Sequence, residues 1–503
     1  MKTIPAALLL ALLPCCRPAA PAVEARPPAV AGRFYPADAG QLRRAVEGYL
    51  ADALPPSGQR PLVLIAPHAG YVFSGQIAAD AYRQATEYPV ELVVILGTNH
   101  TTAGFDGISV YQGSGYRTPL GVARLDEDAA AELLKVDPRV AFRPEVHTSE
   151  HSVEVQVPFV QVAFPKARIV GVVVGTEELE LTERFGAALA AVARGRDALI
   201  VASTDLSHYP SQEDAGPVDR QTLRAFASMD PAAVASTTEG LRRAGTGGLS
   251  TCACGQGAVL VALAAGRHLG ATRAVAVSYA NSGDTVFGEP GRAVGYGALA
   301  FTAGPGTADL RALEPPAPVG AAPSLTDADR NYLLGLARAA ITRYLDSGVV
   351  PLPRPASPAL AQNRGAFVTL KERGELRGCI GHMAEDAPLA LTVARMALQA
   401  AFRDTRFQPV RAEEVAQLQV EVSALTPFAR VAGPEAIVVG RDGVLLEKGG
   451  ARAVFLPQVA PEQGWSRDET LDHLCRKAGM PAGCWQGGAT FYTFQAEVFG
   501  EGG

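Results

Sequence analysis

The chain has 503 residues, 48% of them hydrophobic and 19% charged, with 52 Gly and 37 Pro that follow no three-residue period, which excludes a disordered or fibrous chain. Its 45 basic and 51 acidic side chains leave a formal charge of −6 with no basic stripe, so nucleic acid is not an expected partner. Seven cysteines at irregular spacing make no disulfide framework, and at roughly 150 residues per domain the length suits two or three domains.

At the N-terminus, Met1-Lys2 precedes an apolar run from Ile4 to Leu13 and then Pro14-Cys15-Cys16-Arg17. One basic residue followed by about ten apolar ones reads as a secretory signal over residues 1–16, too short to span a membrane. A cysteine directly after the run suggests lipidation at Cys15 or Cys16. The expected location is therefore outside the cytoplasm, periplasmic or lipid-anchored, with membrane contact only through that anchor. Pro14 departs from the small residue such signals prefer, and a start placed upstream of a cytoplasmic protein is the alternative. The Pro/Ala-rich residues 17–29 read as a tether.

Over residues 30–303, strand-length apolar runs alternate with helical patterns. Leu62–Ala66, Leu92–Gly97, Ile169–Val174, Ala198–Ser203 and Ala274–Tyr279 each end in polar or Gly residues, as buried strands do. Gly75–Gln84, Glu127–Leu134, Glu178–Ala193 and Gln256–His268 carry helix-period apolar positions. The alternation predicts an α/β domain, a mostly parallel sheet with helices on both faces. Residues 304–323, rich in Pro, Gly and Ala, read as a flexible linker.

Residues 324–503 mix hairpins and helices without βαβ regularity, which predicts an α+β domain. Thr326-Asp327-Ala328-Asp329 caps a helix running to about Leu345. Ala366–Leu370 and Leu376–Ile380 flank a Gly-containing hairpin connection, and Leu389–Phe402 is an Ala/Leu-rich helix after Pro388. Val420–Leu425, Ala436–Val439, Val444–Glu447 and Phe491–Val498 read as strands, and Ser466–Lys477 as a helix.

Chemistry-bearing residues sit just beyond the strands of the first domain. His68 follows one run in APHAGY, His100 another in LGTNH, and Asp205 and His208 a third in STDLSHY. In an open parallel sheet, sites form outside the carboxyl ends of the strands, so these side chains are expected along one edge. Cys254 opens the helix that follows in CGQG, where the positive end of the helix dipole favours thiolate. A thiolate with two imidazoles suits iron, copper or zinc. In EHSVEVQ, His151 and Glu154 lie about one helical turn apart and are candidate supporting or substrate contacts. His147 and His151 have i,i+4 spacing, but the glutamate of a zinc-protease motif is not in its place. Against a metal site stand simpler readings: a buried His with a backbone partner, an inert buried Cys such as Cys252, and Asp205 as a turn cap.

VAGRFYPAD (Val30–Asp38), APHAGYVFSG (Ala66–Gly75), LGTNHT (Leu96–Thr101), EHSVEVQVPF (Glu150–Phe159), STDLSHY (Ser203–Tyr209), CGQG (Cys254–Gly257) and VGYGALAF (Val294–Phe301) resemble the Memo family, the B protein of the AmmeMemoRadiSam system. Thr98 stands where Pro is usual and Thr204 where Ser is usual. The resemblance implies a fold like that of class III extradiol ring-cleaving dioxygenases, which hold non-haem iron with two His and a Glu. In Memo-like proteins a Cys takes the third position. Carried onto this chain, the metal ligands are His68, His100 and Cys254, with Asp205 and His208 as acid–base groups. The implied activity is metal-dependent redox chemistry with iron or copper, on a small organic or modified-residue substrate. A non-catalytic scaffold for peptides and a thiol or zinc hydrolase are the competing readings. Thiolate in place of carboxylate sets ring cleavage itself in question.

In the second domain, Leu376-Arg377-Gly378-Cys379-Ile380-Gly381-His382 places Cys379 in sequence beside Arg377 and His382, the pattern of a nucleophilic or redox thiol; packing is the plainer role. Cys475 and Cys484 read as core or loop residues. GAFVTL, LRGCIGH, AAFRDTRFQPV, VEVSALTP and FLPQVAPEQGW resemble the AMMECR-type domain, the A protein of the same system, with Thr405 replacing a usual Pro. The resemblance implies a radical S-adenosylmethionine protein as a partner; this chain lacks the CxxxCxxC motif of such enzymes.

Overall fold

The computed structural model describes residues 24–314, 324–355 and 357–501. The signal and lipidation expectations, with most of the tether, lie outside the described residues. So does much of the linker.

Ten strands belong to the first domain: β1 (Pro61–Ala66), β2 (Leu92–Thr98), β3 (Ile108–Val110), β4 (Gly115–Thr118), β5 (Gly121–Arg124), β6 (Val140–Ala141), β7 (Arg168–Val174), β8 (Ala198–Ser203), β9 (Arg273–Asn281) and β10 (Gly295–Thr302). All but the β4–β5 ribbon form one sheet in the order β6-β3-β7-β2-β8-β1-β10-β9. Only the centre is as expected: β7, β2, β8 and β1 run parallel, whereas β3 lies antiparallel to β7, β10 to β1 and β9 to β10. The sheet is mixed rather than mostly parallel. Three members were unexpected: the short edge strands β3 and β6, and β10, whose Gly295-Tyr296-Gly297 start hides a fully buried strand. β10 follows β9 through a loop, as antiparallel neighbours permit.

The helices of this domain are α1 (Ala39–Ala51), α2 (Tyr71–Arg83), α3 (Glu127–Leu133), α4 (Pro144–Thr148), α5 (Val157–Ala163), α6 (Leu179–Ala193), α7 (Gln212–Ala227), α8 (Pro231–Arg243) and α9 (Gln256–Leu269). The central strands are buried on both faces, which is why they read as continuous apolar runs. α9 is buried along nearly its whole length and seats its first turn against the strand ends. Gly255 and Gly257 make that approach fit: a Cβ would lie 2.5 Å from Ser203 O at the first and 2.2 Å from Thr176 O at the second.

The domain begins earlier and ends later than expected. Arg26 pairs with buried Glu154 at 2.6 Å, and its N–H donates to Gly115 O. Residues 24–29 therefore belong to the domain rather than to a tether. At the other end, Asp309 bridges Val275 and Leu313 is buried in the core.

The second domain holds α10 (Asp327–Ser347), α11 (Pro358–Ala361), β11 (Ala366–Glu372), β12 (Glu375–His382), α12 (Leu389–Phe402), β13 (Leu418–Leu425), β14 (Ala429–Val431), β15 (Gly443–Lys448), β16 (Ala451–Phe455), α13 (Val459–Gln463), α14 (Arg467–Lys477), β17 (Thr490–Phe494) and β18 (Ala496–Gly500). The expected capping box of Thr326 and Asp329 starts α10. The β11–β12 hairpin turns on Arg373 and Gly374, at φ 54° and 86°, the pair of positive angles a two-residue turn requires. Two antiparallel sheets result, β12-β11-β13-β18 and β14-β17-β15-β16.

Three expectations fail here. Ala436–Val439 forms no strand; Pro434 opens a 3₁₀ turn, and the N–H groups of Ala436 and Ile437 are spent on Gly433 O and Pro434 O within it rather than on a ladder. Phe491–Val498 is two strands, because the chain leaves one sheet at Gln495 and enters the other. Cys475 and Cys484 form a disulfide, so nine residues of separation suffice without a wider framework.

The domains are docked, contrary to the flexible arrangement expected. Arg354 donates to both oxygens of fully buried Asp80 on α2, at 2.8 and 2.6 Å. Arg44 pairs with Asp346 at 2.8 Å, and Arg343 with Asp52.

Candidate metal centre

The ends of β1, β2 and β8 are neighbours, with Ala66 opposite Ser203 and Leu96 opposite Ala202. The residues just beyond them therefore converge, as expected. They meet in a cleft of about 530 Å3 lined by His68, His100, His151, Asp205 and His208, with Phe34, Phe73, Phe287 and Val294 as apolar walls.

Hydrogen bonds fix the free nitrogen of two imidazoles. Ser203 Oγ donates its single proton to Ser152 O at 2.6 Å, so toward His68 Nδ1, at 3.1 Å, it can only accept. His68 Nδ1 must carry the proton, and Nε2 turns a lone pair to Cys254 Sγ at 3.2 Å. His100 donates from Nδ1 to Glu150 Oε1 at 2.9 Å, which likewise frees its Nε2. Glu150 is the residue sequence reading missed. Its carboxylate also accepts the N–H groups of His100, His151 and Ser152, at 2.6, 2.8 and 2.8 Å. Burial raises its pKa, but His100, His151 and those bonds outweigh burial and hold it at about 2. A carboxylate on the far side of an imidazole is the usual support of a metal-binding histidine.

Burial, together with the neighbouring His100, pushes His208 down to about 4. Burial lowers His151 to about 4, and His68 well below its ordinary value. These rings are neutral at pH 7, as ligands must be. His208 Nε2 is buried with no hydrogen-bond partner among the described residues.

Cys254 departs from expectation. Burial first, then the adjacent Asp205 carboxylate, push its thiol up, and these outweigh the helix terminus. A bound cation reverses that balance, because a coordinating thiol loses its proton. Asp205 caps the turn after β1, accepting from the N–H groups of His68 and Ala69 at 2.7 and 3.2 Å. Burial lifts it to about 6. Both departures place useful hydroxyls: Thr98 adds one that donates to Cys254 O at 3.0 Å, and Thr204 keeps one that accepts from Gly255 N at 2.9 Å.

Two groups of donors share His68. The ligand atoms of His68, His100 and His151 lie within 4.8 Å of one another, and so do those of His68, Asp205 and Cys254. The expected triple of His68, His100 and Cys254 is thus split between them, while His151 and Asp205 stand at ligating range rather than behind it. The free lone pairs, the neutral rings and the partnerless His208 nitrogen fit a transition-metal dication.

Glu154 is elsewhere. It binds Arg26, the N–H groups of Ala29 and Val30, and Tyr35 Oη at 2.5 Å, so it anchors the N-terminal segment rather than a substrate. His147 is buried between Ser109 and Tyr116. Cys379 is half-buried on β12, where its N–H donates to Asp404. Arg377 is spent on Glu414 at 2.9 Å. His382, three residues on, falls on the opposite strand face and pairs with Asp386 at 2.8 Å. Neither supplies charge to the thiol.

Residues 26–300 match the family described as Memo-like protein, and residues 334–499 the family described as AMMECR1. A MEMO1 family protein of Methanopyrus kandleri is 34% identical over 291 residues, 56% of this chain and 99% of that protein. One of Ignicoccus hospitalis is 37% identical over 290 residues, 55% of this chain and 98% of its own. An uncharacterized protein of Pyrococcus horikoshii with a crystal structure is 41% identical and covers 34% of this chain and 90% of its own, with a TM-score of 0.31.

Proposed function

We propose, for a chain that belongs to the Memo-like protein family and carries an AMMECR1 domain behind it, that the cleft is a mononuclear metal site acting on a small organic ligand. The observation that carries this reading is the pair of imidazoles whose Nδ1 protons are committed to Ser203 and Glu150, leaving the Nε2 lone pairs available on two rings that line one cleft. His68, common to both donor groups, would be the anchor, with His100 drawn from one group and Cys254 from the other onto the ion as a mixed set suited to iron or copper, and zinc as the further candidate. When bound, such an ion supplies Lewis acidity and, for iron or copper, electron transfer.

The chain's own residues then do the rest. Glu150 orients His100 and holds its Nδ1 as the donor. Asp205 holds the β1–α2 turn and, with its pKa lifted to about 6, is poised to take or give a proton in the cleft. Phe34, Phe73 and Phe287 suit a flat apolar body, and Arg292, stacked on Tyr209 with its Cζ 3.9 Å from the ring centroid, stands at the rim to meet an anionic group.

A second reading rests on the other donor group: His68, His100 and His151 form an all-imidazole triple. Metal analysis of protein purified without added metal tests the proposal. One equivalent of iron or copper that His68→Ala removes, with the fold intact, is the expected result. Stoichiometric zinc favours the hydrolase reading, and no metal favours a binding scaffold. Export is proposed as well, since a disulfide is at home in an oxidising compartment.

A further inference from the structure

One wall of the cleft is part of the loop at 282–294 that joins β9 to β10. Its first residues are held from within the first domain: Asp284 caps back to Asn281 N at 2.8 Å and accepts from Gln212 Nε2 at 2.8 Å. The next ones look to the second domain. Val286 packs against Ala340, Val350 and Leu398, between α10 and α12. Arg395 on α12 donates from Nη2 to Gly283 O at 2.8 Å, to Thr285 O at 2.9 Å and to Gly288 O at 3.5 Å. Its Nε adds a bond to Thr285 O at 3.3 Å. Inside that clasp lie Phe287 and Gly288, both lining the cleft. The Phe287 ring also meets Tyr344 of α10, with centroids 6.0 Å apart.

A guanidinium is the side chain for such a task, because its planar fork serves several acceptors at once and its charge is permanent. The three carbonyls it serves come from a loop whose apolar member, Val286, is half-buried against the second domain's core. Without the second domain, Val286 loses its packing and the carbonyls lose Arg395, leaving Thr285 O only its bond from Gly288 N.

We infer that the second domain builds one wall of the first domain's cleft, with Arg395 as the positioning residue. Through the 283–288 backbone it fixes where Phe287 stands, and so sets the width offered to a flat apolar ligand. Specificity in the Memo-like domain is thus held partly by a residue of the AMMECR1 domain. The inference stands whether or not the cleft takes a metal.

Hydrogen exchange on the metal-free full chain tests it, with Phe287→Trp as a fluorescence reporter inside the cleft. In Arg395→Ala, peptides over 283–290 should exchange about tenfold faster while peptides over β1, β8 and α12 keep their protection. The reporter's emission should shift to the red and become easier to quench with acrylamide, and Arg395→Lys, a single donor group, should fall between. Unchanged loop exchange and emission would overturn the inference. So would faster exchange throughout α12, which assigns Arg395 to the stability of its own domain. If Arg395→Ala does not fold, Val286→Ala removes the other half of the attachment and must give the same loop-confined change, or the inference fails.

Discussion

Glu150 shows how a single residue prepares the site. One buried carboxylate accepts from His100 Nδ1 and from three backbone N–H groups, so it sets the ring's tautomer and its direction together. Glu150→Gln keeps the shape but loses the charge, and metal affinity should fall by about 10–100-fold, as for other outer ligands; isothermal titration with Co(II) reads it. Asp219 gives a test that needs no metal. Burial lifts its pKa to about 7, against the opposing bonds from Ser207 N and Tyr279 Oη at 2.8 Å each. A carboxyl with a raised folded pKa binds its proton more tightly folded than unfolded, so stability is lost as pH rises from about 4 to about 7. At ~1.4 kcal/mol per pKa unit the loss is on the order of a few kcal/mol. Denaturant melts across that range should show Asp219→Asn gaining on the parent with rising pH and then running level. A constant gap would mean that Asp219 is ionised throughout. His68, His100 and Asp205 were legible because each ends an apolar run. Glu150 was not, because its role depends on partners about fifty residues away that only folding brings near.

Elements were read best where burial is two-sided. β1, β2, β7 and β8 are Val/Ile/Leu runs covered on both faces, and each was found to within a residue or two. α12 was found at both ends, its Pro388 and Phe402 boundaries being visible in the residues. β10 escaped because Gly and Ala fill half of it, and what makes it a strand is its place between β1 and β9. α1, α7 and α8 were also passed over, although caps at Asp38, Ser211 and Asp230 mark their starts. The Cys475–Cys484 bridge ties the end of α14 to the segment before β17, a proximity that no pattern in the sequence encodes. Opening it with Cys484→Ala should cost about 2–3 kcal/mol by loop-closure entropy. The loss should appear as a lower melting temperature in oxidised protein and vanish when parent and variant are compared under reductant.

At the scale of the molecule, charge and apolar contacts cross between the two domains. Asp80 is fully buried and Arg354 comes from the second domain to neutralise it. Arg354→Ala leaves that carboxylate only the Leu54 N–H and the Gln76 amide as donors, a loss on the order of 3 kcal/mol, and calorimetry should then resolve one unfolding transition into two. A single unshifted transition would mean the pair does not couple the domains. By the inference drawn from Arg395, docking also positions one wall of the cleft, which would give the fusion a physical use beyond joining two sequences. The central claim remains the metal held by His68, His100 and Cys254, and the absorption spectrum of the Co(II)-loaded protein tests it most directly. A thiolate ligand gives a sulfur-to-metal charge-transfer band that imidazoles and carboxylates do not. The account predicts that band in the parent and in His151→Ala, and its loss in Cys254→Ser with cobalt still bound. A band that survives Cys254→Ser, or a parent without one, would contradict it.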